Sequence, residues 1–139
     1  MRSDRNPNGR RILLADDDEV VQEVVKMAAE GRGYSVLPAS TGVAALALAV
    51  SAQPDLIVLD MSFPDADGRD VLRELKADRR TAHIPVVVWS GGRDGHDSDS
   101  KISLDLGAEE YVEKGDAELF LRKLERVLLQ RPRGSSAPD

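Results

Sequence analysis

Five polar side chains stand at the ends of short apolar runs, and together they have the chemistry of a site for phosphoryl groups. Asp16 and Asp17 follow the first apolar run of the chain, and Asp60 follows the third. Ser90 follows the fourth run and Lys114 the fifth. If these runs are parallel strands of one sheet, three carboxylates, one hydroxyl and one ammonium group converge on one edge of it.

Three clustered carboxylates repel one another unless a cation lies between them. Ligation by oxygen atoms alone suits Mg²⁺ better than a softer metal. Asp60 could then act as a nucleophile on phosphorus and form an acyl phosphate. The Mg²⁺ ion, the Lys114 ammonium and the Ser90 hydroxyl would hold the three equatorial oxygens, since phosphoryl transfer needs positioning and charge stabilisation above all.

The apolar runs that carry these residues are typical of buried strands. Strands are predicted over residues 12–15, 34–37, 56–59, 84–89 and 111–112. Apolar side chains recur at helical spacing over residues 20–28, 41–52, 71–75, 102–106 and 119–128. Near-continuous apolar strands that alternate with helices predict a parallel sheet covered on both faces. Right-handed crossovers then give a doubly wound α/β sandwich, in which sites lie at the carboxyl ends of the strands.

The composition is that of an ordinary globular domain. The chain has 139 residues, of which 41% are apolar and 32% charged, and its formal net charge of -6 argues against a nucleic-acid surface. There are no cysteines, which excludes disulfides and thiolate metal sites. No apolar run approaches the roughly 20 residues that a bilayer span needs. We therefore expect a cytoplasmic protein without nucleic-acid or membrane partners.

The ends of the chain differ from its middle. Residues 1–10 and 131–139 are rich in Pro, Gly, Ser and Arg without periodicity, so we expect a flexible leader and a flexible tail around a single domain at 11–130. The polar start has no apolar segment behind it, so no signal peptide is expected. Nine residues after Gln130 are too few for an output module, which predicts a single-domain protein or a piece cut from a longer one.

Four segments resemble the receiver domains of response regulators in two-component signalling, with a chemotaxis-regulator-like arrangement. They are residues 12–19, 55–68, 85–91 and 107–114, which stand in the order and at the spacing of that family. The similarity runs from about Arg11 to Gln130. It implies a (βα)5 flavodoxin-like sandwich with a five-stranded parallel sheet in the order 2-1-3-4-5.

The resemblance also implies a ligand set. By that resemblance Asp60 is the phosphoacceptor, Asp17 is a direct ligand of Mg²⁺, and Asp16 acts on the ion through water. The backbone carbonyl of Ser62 would be a further ligand of the ion.

A switch and its partners follow from the same resemblance. Ser90 and Tyr111 would form the coupled switch pair, and Lys114 would contact the phosphoryl group. The expected partners are a histidine kinase or phosphotransfer protein and a downstream protein target. Read singly, Lys114 could be a surface lysine, Ser90 a turn residue and Tyr111 a half-buried strand aromatic.

The chain departs from the family pattern at two places. Gly115 stands where the family usually has a proline after the lysine, often with a cis peptide. A cis bond before glycine would cost roughly 3–4 kcal/mol, so the Lys114–Gly115 bond is expected to be trans. The segment Gly91 to Gly95 is unusually rich in glycine, and we expect it to be mobile.

Two other functions fit part of the pattern. A degenerate receiver would bind a partner without being phosphorylated, which the departures after Ser90 and Lys114 favour. A Mg²⁺-dependent phosphohydrolase would also use Asp60, but that chemistry commonly needs a second acid two residues on, where this chain has Ser62. We therefore expect a signalling protein that is not an enzyme.

Overall fold

The structure is a computed structural model that describes residues 10–61, 63–90, 101, 103–115 and 117–130. The strands are β1 (Arg11–Ala15), β2 (Ser35–Ala39), β3 (Leu56–Asp60), β4 (Val86–Ser90) and β5 (Glu110–Glu113). The helices are α1 (Glu19–Glu30), α2 (Gly42–Ala52), α3 (Gly68–Ala77) and α4 (Ala117–Gln130). Residues 101 and 103–105, between β4 and β5, are also helical.

All five strands run parallel in one sheet with the order β2-β1-β3-β4-β5. This confirms the predicted doubly wound (βα)5 sandwich. The central strands β3 and β4 are buried along their whole length, as covering of both faces requires. None of the helices in the described ranges is long and apolar enough to cross a bilayer.

Strand β2 extends past the predicted residues 34–37 and includes Pro38, which pairs with Leu14. A proline has no amide hydrogen to donate, and an edge strand tolerates that loss. Since β2 lies at one edge of the sheet, the strand continues through Pro38 to Ala39. The other strands differ from their predicted bounds by one or two residues.

Polar side chains cap three of the helices. The Asp18 carboxylate accepts the N–H groups of Val20 and Val21 at the start of α1. The Thr41 hydroxyl accepts the N–H of Ala44 in α2, and Asp67 caps α3 in the same way. Such caps satisfy amide groups that have no partner inside the helix, so they determine where each helix begins at the edge of the sheet.

The two faces of the sheet have different cores. The α1/α4 face is the side covered by helices α1 and α4, and its buried side chains include Ile12, Leu14, Val58, Val87, Trp89, Val112, Phe120 and Leu124. The α2/α3 face is the opposite side, and its buried side chains include Leu13, Ala15, Ala45, Ala49, Ile57, Leu59, Val88 and Leu72. Successive residues of a strand alternate between these faces.

Candidate functional site

The alternation of side chains continues past the strand ends and places the predicted site residues. Asp16 stands two residues after Leu14, Asp60 two after Val58, and Lys114 two after Val112, so all three lie on the α1/α4 face. Ser90 stands two residues after Val88 and therefore belongs to the α2/α3 face. The carboxyl edge of the sheet thus carries two distinct groups of polar residues.

The three acids predicted from the sequence come together. One carboxylate oxygen from each of Asp16, Asp17 and Asp60 lies within 4.8 Å of the others. Asp16 and Asp60 are buried, whereas Asp17 is exposed at the mouth of the cluster. A set of hard oxygen donors, partly buried and of like charge, fits a small divalent cation such as Mg²⁺.

Lys114 joins the two buried acids. Its Nζ atom lies 2.7 Å from Oδ2 of Asp16 and 3.4 Å from Oδ1 of Asp60. Burial works against its charged form, but the hydrogen bond to Asp16 and the charges of Asp60 and Asp16 outweigh burial and raise the pKa of Lys114. Lys114 is therefore a cation held between two carboxylates.

The Asp60 carboxylate has a perturbed pKa. Burial raises the pKa of Asp60 to about 6, and the neighbouring charge of Asp16 adds to the rise. Lys114 and the N–H of Met61, which donates to Oδ1 at 2.9 Å, oppose it. Lys114 thus does not fully offset the burial of Asp60 and the charge of Asp16, and a further cation at the cluster would oppose both.

Trp89 lies at the acidic cluster, where reasoning from the sequence did not place it. Its Nε1–H donates to Oδ2 of Asp16 at 3.1 Å, and the side chain is buried. Trp89 lies opposite Asp60 in the β3–β4 register and shares the α1/α4 face with it. The sequence could have shown this position. Side chains alternate along a strand, so Trp89 lies on the opposite face of β4 from Ser90.

Ser90 and Tyr111 lie on the same face of the sheet. Tyr111 pairs with Val88, two residues before Ser90, and packs against the core of the α2/α3 face. Ser90 is buried, and its backbone carbonyl accepts the N–H of Lys114 at 2.7 Å. The Tyr111 hydroxyl oxygen is also buried, so the ring already points inward in this structure.

The turn after Asp60 closes tightly onto the end of β3. The N–H of Gly68 donates to the carbonyl of Met61 at 2.8 Å. A Cβ atom at Gly68 would lie 2.5 Å from both the carbonyl oxygen of Asp60 and Cα of Met61, so only glycine allows this approach. Ser62, the predicted carbonyl ligand, lies outside the described residues, as does the segment Gly91 to Gly95.

Asp65 lies close to α3 in the sequence but acts at the start of α2. Its carboxylate accepts the N–H groups of Gly42 and Val43 at 2.8 and 3.2 Å. These hydrogen bonds, that of Gly42 first, lower the pKa of Asp65. The loop after β3 is thereby tied to the start of α2, a contact that local sequence does not show. Asp67 does cap α3.

The Lys114–Gly115 peptide bond is trans, as predicted. Gly115 has a φ of 144°, which proline cannot adopt, and a Cβ atom there would meet nothing within 4 Å. The loop after Lys114 therefore has a backbone shape that the usual proline of the family would not allow.

The fold and the acidic edge together define a receiver domain. The sequence profile of the response regulator receiver domain matches residues 12–125, and the chain belongs to this family. Receiver domains are signalling modules of two-component systems, so the class predicted from the four segments is confirmed.

The chain is similar to curated regulators that are longer than it is. It is 41% identical over 122 residues to the DNA-binding dual master transcriptional regulator RpaA of Synechocystis, covering 87% of this chain and 49% of that protein. It is 36% identical over 130 residues to the KDP operon transcriptional regulatory protein KdpE of Escherichia coli, covering 92% and 55%. The chain thus spans about half the length of these relatives.

Solved receiver domains have the same fold. A CheY-like response regulator receiver domain from Methanospirillum hungatei has a TM-score of 0.79 and 27% identity, covering 87% of this chain and 94% of that one. The receiver domain of the sensor histidine kinase PA1611 from Pseudomonas aeruginosa has a TM-score of 0.77 and 27% identity, covering 86% and 98%. In that protein a magnesium ion is coordinated in the active site cleft.

Proposed function

We propose that this chain accepts a phosphoryl group on Asp60 in a Mg²⁺-dependent reaction and signals to a protein partner through a change of its surface. The observation that carries the proposal is the convergence of Asp16, Asp17 and Asp60, with Lys114 between the two buried acids. The proposed unit is the domain at residues 11–130, with a leader before it and a tail after it.

The transfer requires one bond to form and one to break. A carboxylate oxygen of Asp60 forms a bond to phosphorus, while the bond from phosphorus to the donor breaks and its electron pair leaves with the donor. A histidine kinase or phosphotransfer protein would supply the group from a phosphohistidine. Asp60 must be ionised to attack, so its pKa of about 6 leaves it ready near neutral pH.

The metal would be held by the acidic cluster at the carboxyl edge of the sheet. Asp17 and Asp60 would bind Mg²⁺ directly, Asp16 would act through water, and the Ser62 carbonyl would complete the protein ligands. The ion would supply neutralisation of the charge on the phosphoryl oxygens. The coordinated magnesium of the PA1611 receiver domain supports this assignment.

Lys114 and Ser90 would receive the other phosphoryl oxygens. Lys114 is already a cation beside Asp60, and the Ser90 side chain ends the strand next to it. A hydrogen bond from the Ser90 hydroxyl to the new group would draw β4 toward Asp60. Since Tyr111 lies on the same face as Ser90, the pair forms the proposed switch.

The surface that responds would include β5 and α4. Glu110 of β5 pairs with Arg126 of α4 at 2.7 Å and with Lys123 at 3.8 Å, so a shift of β5 is passed to the helix. A downstream protein that reads this surface is the proposed target. The DNA binding named for RpaA belongs to that protein, and for this acidic chain we propose protein partners, without nucleic acid.

Mass spectrometry after treatment with acetyl phosphate tests the function. With Mg²⁺ the chain should gain the mass of one phosphoryl group, and the adduct should be absent from Asp60→Asn and from samples with a chelator. An adduct that persists in Asp60→Asn would overturn the acceptor assignment. No adduct on the wild type would favour the phosphorylation-independent interaction module.

A further inference from the structure

Trp89, the single tryptophan of the chain, is built into the acidic site. Its side chain is 4% exposed and its ring packs on Phe120 of α4, with centroids 4.3 Å apart. Its Nε1–H points at Oδ2 of Asp16 at 3.1 Å, and Nζ of Lys114 lies 5.8 Å from the ring centroid. The indole therefore contacts both Asp16 and Lys114, while its ring packs on Phe120.

Among the described residues, three groups donate hydrogen bonds to the Asp16 carboxylate. Oδ1 accepts the N–H of Asp18 at 2.9 Å, and Oδ2 accepts both Lys114 and Trp89. A carboxylate offers about four acceptor positions, so roughly one remains for a metal-bound water. The side chain is fully buried, which makes the loss of any of these donors costly.

The three donors differ in how freely they can move away from the Asp16 carboxylate. The Asp18 N–H is backbone at the start of α1, and the Trp89 indole is rigid and packed on Phe120. Lys114 has a flexible stem and lies between Asp16 and Asp60. If Lys114 turned toward a phosphoryl group on Asp60, Asp16 would lose that donor. An indole N–H can only donate, and packing on Phe120 holds the ring in place, so Trp89 would keep its hydrogen bond to Asp16.

We propose that Trp89 is a positioning residue, whose N–H holds the buried Asp16 carboxylate toward the metal position and releases Lys114 to the phosphoryl group. The proposal rests on the proposed function of the site. It gives a role to Trp89, which comes directly before Ser90 in β4 and lies on the opposite face of the sheet from it.

Trp89→Phe is the test, because it keeps the ring against Phe120 and removes the N–H. We expect the affinity for Mg²⁺, measured by calorimetry on the whole chain, to fall about three- to tenfold. The rate of phosphorylation by acetyl phosphate should fall with it. The matched control is Phe120→Leu, which keeps an apolar side chain against the indole and leaves the Trp89 N–H in place. It should lower stability yet leave Mg²⁺ affinity within about twofold.

A second measurement does not depend on the folding of a tryptophan variant. The single indole N–H gives one proton NMR signal in the wild type, and Asp16→Asn should move it upfield because the charged acceptor is lost. An unmoved signal, or Trp89→Phe with the Mg²⁺ affinity and rate of the wild type, would overturn the proposal. Failure of the proposed function looks different, since the wild type itself would then bind no Mg²⁺ and form no adduct, which overturns both.

Discussion

The two faces of the sheet end in different chemistry at the same edge. The α1/α4 face ends in buried acids, a lysine and an indole that are joined by hydrogen bonds and ion pairs. The α2/α3 face ends in Ser90, with Tyr111 packed against an aliphatic core. Trp89 and Ser90 are consecutive in β4 yet belong to opposite faces. One strand therefore contributes consecutive side chains to two different groups of residues at the same edge.

The faces also differ in how their helices are attached. On the α1/α4 face, Arg32 pairs with Glu118 at 2.6 Å and Glu125 at 3.0 Å, so the chain after α1 is tied to α4. On the α2/α3 face, Ala45 and Ala49 let α2 lie close to the sheet, and Asp65 ties its start to the loop after β3. The second arrangement connects the start of α2 to the segment that follows Asp60.

The largest expected effect is on Mg²⁺ binding at the acidic cluster of Asp16, Asp17 and Asp60. Asp17→Ala should lower Mg²⁺ affinity by about 10- to 100-fold, because it removes a ligand and one of three clustered charges. Asp18→Asn is the matched control, since it removes a neighbouring charge while keeping a side chain that can cap α1. Calorimetry that finds equal affinities in Asp17→Ala and the wild type would contradict the ligand role.

At Gly68 the start of α3 approaches the end of β3 most tightly among the described glycines. Gly68→Ala should lower the free energy of unfolding by about 3 kcal/mol, because its Cβ would lie 2.5 Å from backbone atoms that cannot move aside independently. Gly115→Ala is the comparison, with a strained φ but open space, and should cost only about 1 kcal/mol. Urea unfolding of both variants measures the difference, and equal costs would show that the turn yields easily.

Burial of the Asp60 carboxylate, with the charge of Asp16 beside it, predicts a stabilising substitution. The folded pKa of Asp60 is about 6, above its ordinary value of 3.8, so ionised Asp60 lowers stability as the pH rises between these values. Without metal, Asp60→Asn should therefore be about 2 kcal/mol more stable than the wild type near pH 7.5, with no gain below about pH 4. Chelator-treated protein unfolded in urea at both pH values provides the measurement. A gain that is the same at both would exclude this cause.

Ser90→Ala should have the smallest effect on stability. Its main expected effect is on the coupling between Asp60 and β5. We expect it to be phosphorylated on Asp60 while losing the coupling to β5, since the hydroxyl that would draw β4 inward is gone. Amide NMR with beryllofluoride, a phosphoryl mimic, measures this. In the wild type residues 110–113 should shift, and in Ser90→Ala they should stay near their free positions. Wild-type shifts confined to the surroundings of Asp60 would mean that no such switch operates.

Most of the fold could be predicted because the strands are buried on both faces. Continuous apolar runs such as Leu56 to Leu59 are recognisable from local sequence, and so are the helical repeats between them. Parallel strands bring their carboxyl ends to one edge, so the meeting of Asp16, Asp17, Asp60 and Lys114 followed from the order of the elements alone. The roles of these residues in phosphorylation stay predictions.

Tertiary structure decided the contacts between distant residues. The bond from Trp89 to Asp16 joins positions 73 residues apart, and it depends on strand order and register. Asp65 reaches Gly42 of α2 for the same kind of reason, and Gly68 is required because α3 approaches the end of β3 closely. Local sequence specifies which residues are buried and which reach the edge. The distances between side chains on that edge depend on how helices and strands pack, which no local pattern encodes.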